Sequence, residues 1–305
     1  MATRVGGDQR SEFIEYIFGA WSELRVERDL FPWRQTRDPW LTLIAEFMLS
    51  QTQVVRVVPR FVEMAKRFPT PQACADATQA EVIALWIGLG YNRRAIALHR
   101  CARIICDTYA GEVPSDLGLL LELPGVGPYT SRAIRAFAFD EPAGVVDTNI
   151  RRVIVRALTG VKASAKQVQE LADELVARQP SRDWNLALMD FGSLVCRLRS
   201  PQCARCPLFG AKCKWRHDEI SGGSILADPA SPVSVKGARQ STFSGSDRQG
   251  RGRLVRRACL GPIERDSLAE AAGWPEEPDR AARIAEKLIS EGVLARTRTG
   301  NYQLA

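Results

Sequence analysis

The chain of 305 residues carries 45% hydrophobic and 25% charged residues and a formal charge of +7, which excludes disorder as its main state and leaves room for about two domains. No apolar run reaches the roughly 20 residues of a membrane span, since the nearest, Leu41–Leu49, is broken by Glu46. No secretory leader pattern is visible, so the expectation is a cytoplasmic protein with reduced thiols and, from its positive charge, a polyanionic partner.

In chain order the predicted elements are mostly helical. Apolar residues recur at helical spacing from Phe13 through Trp21, and Asp38-Pro39 offers an N-cap and a first-turn proline for a helix through Leu49. Thr78 with Glu81, and Ser164 with Gln167, have capping-box spacing ahead of Val82-Ile83-Leu85 and Val168-Leu171-Leu175. Further helices are predicted over residues 91–108, 117–121, 129–139, 149–158 and 184–195. Strand patterns are almost absent before residue 220. Residues 221–252, rich in Ser, Gly and Arg, read as a linker. Between 221 and 257 seven basic residues (Lys236, Arg239, Arg248, Arg251, Arg253, Arg256, Arg257) face two acids, Asp228 and Asp247, as in arms that lie along phosphates. Helical patterns at 253–259, 266–272 and 279–291 precede strands at 293–297 and 302–304 about a Thr299-Gly300-Asn301 turn. This is a winged-helix pattern, whose role could be DNA binding or packing.

Of the eight cysteines, Cys74, Cys101, Cys106 and Cys259 are scattered and read as small buried apolar residues. Cys196, Cys203, Cys206 and Cys213 run C-x6-C-x2-C-x6-C, a packed set that in a reducing compartment points to a metal site. Four thiolates suit zinc or a [4Fe-4S] cluster, and one close pair flanked by two longer loops favours the cluster. Arg197, Arg199, Arg205, Lys212, Lys214 and Arg216 make this loop basic. The segment Leu123-Pro124-Gly125-Val126-Gly127 lies between two helices and reads as a tight turn whose N–H groups can face a DNA phosphate. Beyond the next helix, Asp147 closes an apolar run and opens another helix, a position that suits an N-cap and leaves room for chemistry.

On these residues the sequence resembles the helix-hairpin-helix DNA glycosylases with a four-cysteine loop, the superfamily of endonuclease III and the adenine DNA glycosylases of MutY type. The likeness runs from about residue 30 to 216. It is nearest the adenine glycosylases through Phe31-Pro32-Trp33-Arg34, Glu46-Phe-Met-Leu-Ser-Gln-Thr-Gln53, Gly88-Leu89-Gly90-Tyr91 and Leu123-Pro-Gly-Val-Gly-Pro-Tyr-Thr130. The implied fold is mostly α, a two-lobed helix-hairpin-helix glycosylase with a [4Fe-4S] cluster loop and a small C-terminal winged-helix-like module. Its parts would be a cluster domain from 1–32 and 146–219, a six-helix barrel over 33–145, a basic linker over 220–247 and the module over 248–305, with DNA in the groove between the lobes.

The resemblance also implies roles. Breaking an N-glycosidic bond to adenine builds positive charge on the sugar and negative charge on the base, so the site needs an acid and an anion. Glu46 would protonate the purine, which asks for partial desolvation and a raised pKa. Asp147 would stabilise the oxocarbenium-like sugar and Asn149 would help to hold the site. Arg34 would contact the extruded adenine. Gln51, Thr52 and Tyr91 would fill or distort the gap in the stack, Leu89 would belong to the DNA-binding residues, and Gly125, Val126 and Gly127 would meet the backbone. Tyr129 stands where endonuclease III has the lysine that forms a Schiff base, so the expectation is a monofunctional enzyme.

Departures from the family pattern are one extra residue before Cys213, within Pro207–Lys212; Ser50 for a glutamine; Asn92 for a second tyrosine; and a region after 220 too short for a NUDIX-like domain. The function implied is base-excision removal of adenine mispaired with 8-oxoguanine or guanine in double-stranded DNA, by a monomer in the nucleoid. Two alternatives stand beside it: a thymine or uracil glycosylase acting on mismatches with guanine, and a non-catalytic iron–sulfur DNA-binding regulator.

Overall fold

The computed structural model describes residues 6–25, 28–210, 212–217, 227–231 and 242–305. The chain forms two compact units, one from Met1–Thr42, Ser115–Leu120 and Gly127–Lys236, the other from Leu43–Pro114, Leu121–Val126 and Gly237–Ala305. No helix among the described residues is long and apolar enough to cross a membrane.

The first unit is helical. Helix α1 (Gly7–Leu24) buries Phe13, Ile17 and Trp21, the stripe that the periodicity predicts, and Phe13 meets the edge of Trp184 at 6.0 Å. Trp184 and Phe191 belong to α11 (Ser181–Leu194). Helix α2 (Pro39–Leu49) starts here, with Asp38 Oδ1 accepting from the N–H of Leu41 at 2.8 Å, the cap expected of that aspartate. The core is completed by α8 (Pro128–Ala138), α9 (Thr148–Ile154) and α10 (Ala165–Val176). Ser164 and Gln167 form the predicted capping box at the start of α10. The helix expected over 149–158 is not uniform. After α9 the backbone widens into a π-helical turn, Val155–Thr159, ended by Gly160, whose N–H donates to the carbonyl of Val155.

The second unit continues α2 and adds α3 (Val54–Arg67), α4 (Pro71–Ala75), α5 (Gln79–Leu85) and α6 (Arg93–Tyr109). Helices α3 and α4 carry no expectation from the sequence. Thr78 and Glu81 close the predicted capping box of α5. Phe61, Met64, Phe68, Val82, Ile83, Trp86, Leu98 and Ile105 are buried. Cys74 and Cys101 join them, and burial pushes both thiols up to about 12, so they are unreactive packing residues. Cys106 and Cys259 are only half-buried. Helix α7 (Leu117–Glu122) leads into the glycine turn.

The chain after 242 packs within this second unit. Helices α12 (Asp247–Ala258), α13 (Leu268–Ala272) and α14 (Pro278–Ser290) precede an antiparallel pair, β1 (Leu294–Arg296) and β2 (Tyr302–Leu304), in register Leu294↔Leu304. A bridge between Ile263 and Tyr302 widens the pair. The indole of Trp274 lies where a Cβ on Gly250 would stand, and Arg280 covers the indole at 4.0 Å. Gln79 Nε2 of α5 donates to the carbonyl of Gly292 at 2.8 Å, which ties this C-terminal segment to the helices before it.

The expected linker needs two corrections. Helix α12 begins at Asp247 rather than at Arg253, because the Arg251–Glu291 ion pair and the Trp274–Gly250 contact order its first turns. Part of the basic arm is therefore helix, with Arg251 neutralised. Asp228, Pro229 and Ala230 are docked on the first unit, with Ala230 5% exposed in its core. Residues 218–226 and 232–241, with Lys236 and Arg239, lie outside the described residues.

Candidate functional site

In the second unit Glu46 stands in α2 within a run of buried residues, Leu43, Ile44, Ala45, Phe47 and Met48, and is itself 8% exposed. The end of α2 is held by a residue absent from the sequence reading. Arg94, on the first turn of α6, donates from Nη1 to the carbonyls of Phe47 (2.7 Å), Met48 (3.1 Å) and Ser50 (2.5 Å), the acceptors a helix end leaves open. Its Nη2 reaches Thr52 Oγ1 (2.9 Å) and the carbonyl of Gly90 (3.1 Å). The guanidinium lies against the rings of Trp86 and Tyr91, and burial pushes it down to about 10 against the opposing influence of Tyr91.

Arg94 thus joins the two turns that the sequence singles out. Gln51 (φ 57°) and Tyr91 (φ 49°) both stand in the left-handed region, a conformation that disfavours bulky residues and marks constrained turns. Tyr91 is 59% exposed and Gln51 is exposed. The Thr52 hydroxyl accepts from Arg94 and donates to the carbonyl of Leu89. Leu89, expected among the DNA-binding residues, has a side chain only 3% exposed and packed in the core.

At the glycine turn only one glycine is indispensable. Gly125 has φ +83°, and a Cβ there would stand 2.9 Å from Phe47 Cε1 and 3.0 Å from Ala97 Cβ. Val126 is 6% exposed and its N–H closes the turn onto the carbonyl of Leu123. Gly127 belongs to the first unit as N-cap of α8, with φ −103° and open space about its Cα. Any residue can adopt that conformation.

In the first unit, Asp147 caps α9. Its Oδ1 accepts from the N–H of Ile150 at 2.7 Å and its Oδ2 from Asn149 Nδ2 at 2.8 Å. Burial raises the Asp147 carboxyl above its ordinary value, against these hydrogen bonds and the charge of Arg152. Arg152, 7% exposed, donates to Asn149 Oδ1 (2.8 Å), to the carbonyl of Gly192 (2.5 Å) and, through Nε, to the carbonyl of Cys196 (2.6 Å). A Cβ on Gly192 would stand 2.8 Å from Cβ of Asn149, so a glycine there lets α11 come close enough to α9 for this contact. The result is a continuous path from Asp147 through Asn149 and Arg152 to Cys196. An arginine among Ile150, Val153 and Ile154 is the signal that could have exposed it.

Arg34, expected to contact the extruded base, bonds Asp190 through Nη1 and Nη2 at 2.8 Å each, and Trp21 Nε1 adds a third bond to that carboxylate. Two charged groups so deeply buried need each other. Tyr129 sits on the first turn of α8 and is 38% exposed.

Cys196, Cys203, Cys206 and Cys213 line one cavity with Arg156, Pro201, Gln202, Phe209, Trp215 and Arg216. Burial raises the thiols of Cys196 and Cys213, and takes Cys206 up to about 12. No set of three His, Cys, Asp or Glu side chains among the described residues is drawn tightly enough to hold a metal ion as it stands. The donor set and its convergence on one cavity nevertheless fit a four-thiolate group. Arg156, 1% exposed, donates to the carbonyls of Arg197 and Leu198 and to Cys196 Sγ at 3.4 Å. Its charge is met by both oxygens of Asp228 and by the face of Trp215 at 4.6 Å.

Residues 44–178 match the family model "HhH-GPD superfamily base excision DNA repair protein". The chain is 39% identical over 293 residues to an adenine DNA glycosylase of Mycobacterium tuberculosis, covering 93% of this chain and 91% of that one. It is 37% identical over 211 residues to a thymine/uracil-DNA glycosylase of Methanothermobacter thermautotrophicus, covering 65% of this chain and 90% of the relative. Among solved structures, a thermostable thymine-DNA glycosylase superposes with TM-score 0.63 at 32% identity, over 69% of this chain and 98% of that one.

Proposed function

The chain belongs to the HhH-GPD superfamily of base excision DNA repair proteins, and from that premise we infer that it is an adenine DNA glycosylase, hydrolysing the N-glycosidic bond of adenine paired with 8-oxoguanine or guanine. The observation that carries the chemistry is the pair of sheltered carboxyls, Glu46 inside α2 and Asp147 at the start of α9. Adenine rather than thymine follows from coverage: the likeness to the mycobacterial adenine glycosylase spans 93% of the chain, whereas the thymine/uracil relative matches 65%.

Glu46 would deliver a proton to the leaving purine. Asp147, fixed by Ile150 and Asn149, would face the sugar as positive charge grows. A carboxylate screened from water interacts more strongly with that charge than an exposed one. Arg152 holds Asn149, and Asn149 holds Asp147, so both act as positioning residues. Tyr129 is a phenol, which cannot form the imine that a lysine would, so the product is an intact strand with an abasic site. Gln51 and Tyr91 would meet the gap left by the extruded nucleotide, and the turn at Gly125 the backbone.

Cys196, Cys203, Cys206 and Cys213 would hold a [4Fe-4S] cluster, which when bound supplies a rigid, redox-active crosslink of the loop. The three helices and strand pair after 247 are read as a winged-helix-like module. One copy of the chain suffices for one lesion. The test is incubation with duplexes bearing A opposite 8-oxoguanine, A opposite G, T opposite G and U opposite G, scored for alkali-labile breaks. Breaks at the adenine strands are expected; breaks confined to T or U would replace adenine by the pyrimidine reading.

A further inference from the structure

Within the second unit a cavity of about 390 Å³ opens between α6, the glycine turn and the end of α14, lined by Arg93, Ile96, Ala97, Arg100, Pro124 and residues Ile289 to Gly292. Arg93, Ile96, Ala97 and Arg100 form one stripe of α6, at spacings of three, four and seven residues. The middle of the stripe is packing. Ala97 backs the turn at Gly125, and Ile96 Cδ1 lies 3.8 Å from where a Cβ on Gly292 would stand. The ends of the stripe are charge. Arg93 and Arg100 are exposed and make no ion pair or hydrogen bond among the described residues. The facing acid, Glu291, is neutralised by both terminal nitrogens of Arg251. The cavity therefore presents two guanidiniums, while its one carboxylate is already paired with Arg251, beside the turn that the proposed function assigns to a phosphate.

We propose that this notch is a second DNA-backbone site, in which Arg93 and Arg100 hold phosphates next to the one met by the Gly125 turn, and that the docked C-terminal helices exist in part to build its outer wall. Arg93 and Arg100 lie seven helical residues apart, about 10 Å along the axis. One strand carries a charge per roughly 3.4 Å of duplex axis, so the two span about three nucleotides of a passing strand. Such contacts add affinity without sequence information. The inference rests on the reading of the chain as a DNA glycosylase for its ligand, and on the notch itself for its place.

The experiment measures binding of the full chain to two fluorescein-labelled duplexes, one fully matched and one carrying a tetrahydrofuran abasic analogue opposite guanine, across a salt series. For Arg93→Gln/Arg100→Gln the plot of log K against log salt should become shallower by about 1.8, at about 0.9 per phosphate lost, and equally on both duplexes. Glu291→Gln, which removes the notch's only acid, should tighten binding, a gain that misfolding cannot produce. A charge-matched control at exposed residues outside the notch, Lys66→Gln/Arg178→Gln, should keep the wild-type slope. An unchanged slope in the Arg93/Arg100 pair, or an equal loss in the control, overturns the proposal. Adenine release by the wild-type chain is scored separately. Slope lost without any adenine release leaves the notch standing and sinks the enzymatic reading; release with the slope unaltered does the reverse.

Discussion

The side-chain amide of Asn149 donates to Asp147 at 2.8 Å while its carbonyl oxygen accepts from Arg152 at 2.8 Å. A primary amide offers both faces at once, so Asn149 cannot turn over without breaking both bonds. The orientation of Asp147 is thereby fixed by a guanidinium that also holds the carbonyl of Cys196.

Arg152→Gln should therefore damage both ends of this path. A buried cation with four acceptors is removed, and breaking such a network costs about 3 kcal/mol. Adenine release in single-turnover assays should slow by roughly 10- to 100-fold, at the scale of a misoriented catalytic group. Iron per protein should fall in the same preparation. A normal rate with normal iron content would show that the path carries nothing.

Asp147→Asn separates activity from stability. The folded carboxyl titrates above its ordinary value of 3.8, because burial opposes ionisation more than its hydrogen bonds favour it. As pH rises from 3.8 through the folded value, the unfolded chain has released the proton and the folded one gives it up at a cost. Stability is thus lost across that window and stays lower at neutral pH. Asparagine caps a helix about as well as aspartate, so the variant should melt higher than wild type at pH 7, with the gap closing below pH 4. Base release should drop by about 100-fold or more.

Gly125→Ala and Gly127→Ala should differ sharply. The first meets Phe47 and Ala97 and a left-handed backbone at φ +83°, worth about 1–2 kcal/mol for the backbone alone, and should weaken DNA binding along with folding. The second has open space and an extended backbone. Thermal unfolding and duplex affinity of the pair check this, and equal losses would contradict the assignment of the turn.

Asp228→Asn should loosen the cysteine loop from outside it. The ion pair with Arg156 has side-chain exposures of 2% and 17%, and its loss leaves a buried guanidinium without its counter-charge, at about 3 kcal/mol. Limited proteolysis between Cys196 and Cys213 should become faster. Protection equal to wild type would mean that the 227–231 segment merely rests on the surface.

Tyr129 leads to a simple electrophoretic result. The strand should stay intact after base removal and break only on alkali treatment, and borohydride should trap no protein–DNA adduct. High-yield trapping would require an amine nucleophile elsewhere in the site.

Local chemistry was legible in the sequence because it acts between residues near one another along the chain. The caps at Asp38, Thr78 and Ser164 need only neighbours along the chain, and the cysteine spacing is itself a local pattern. Helix α3 was not legible: valines and an internal Pro59 argue against a helix, and burial of Val57, Phe61 and Met64 overrules them. The pairing of Arg34 with Asp190 was not legible because Asp190 lies on a distant helix. Arg94 and Arg152 went unseen for the same reason. A buried arginine is defined by the carbonyls it meets, and those are gathered only by tertiary structure.

The cap that Arg94 places on α2 has a mechanical consequence. Glu46 and the Gln51 turn are joined through the last turn of α2, since the carbonyl of Glu46 accepts the N–H of Ser50 and the next carbonyls are gripped by Arg94. The Tyr91 turn is fastened to the same guanidinium. A displacement of either turn therefore acts on the same helix end that carries Glu46. With Glu46 as the proposed acid, that linkage would serve as a mechanical interlock between inspection and excision.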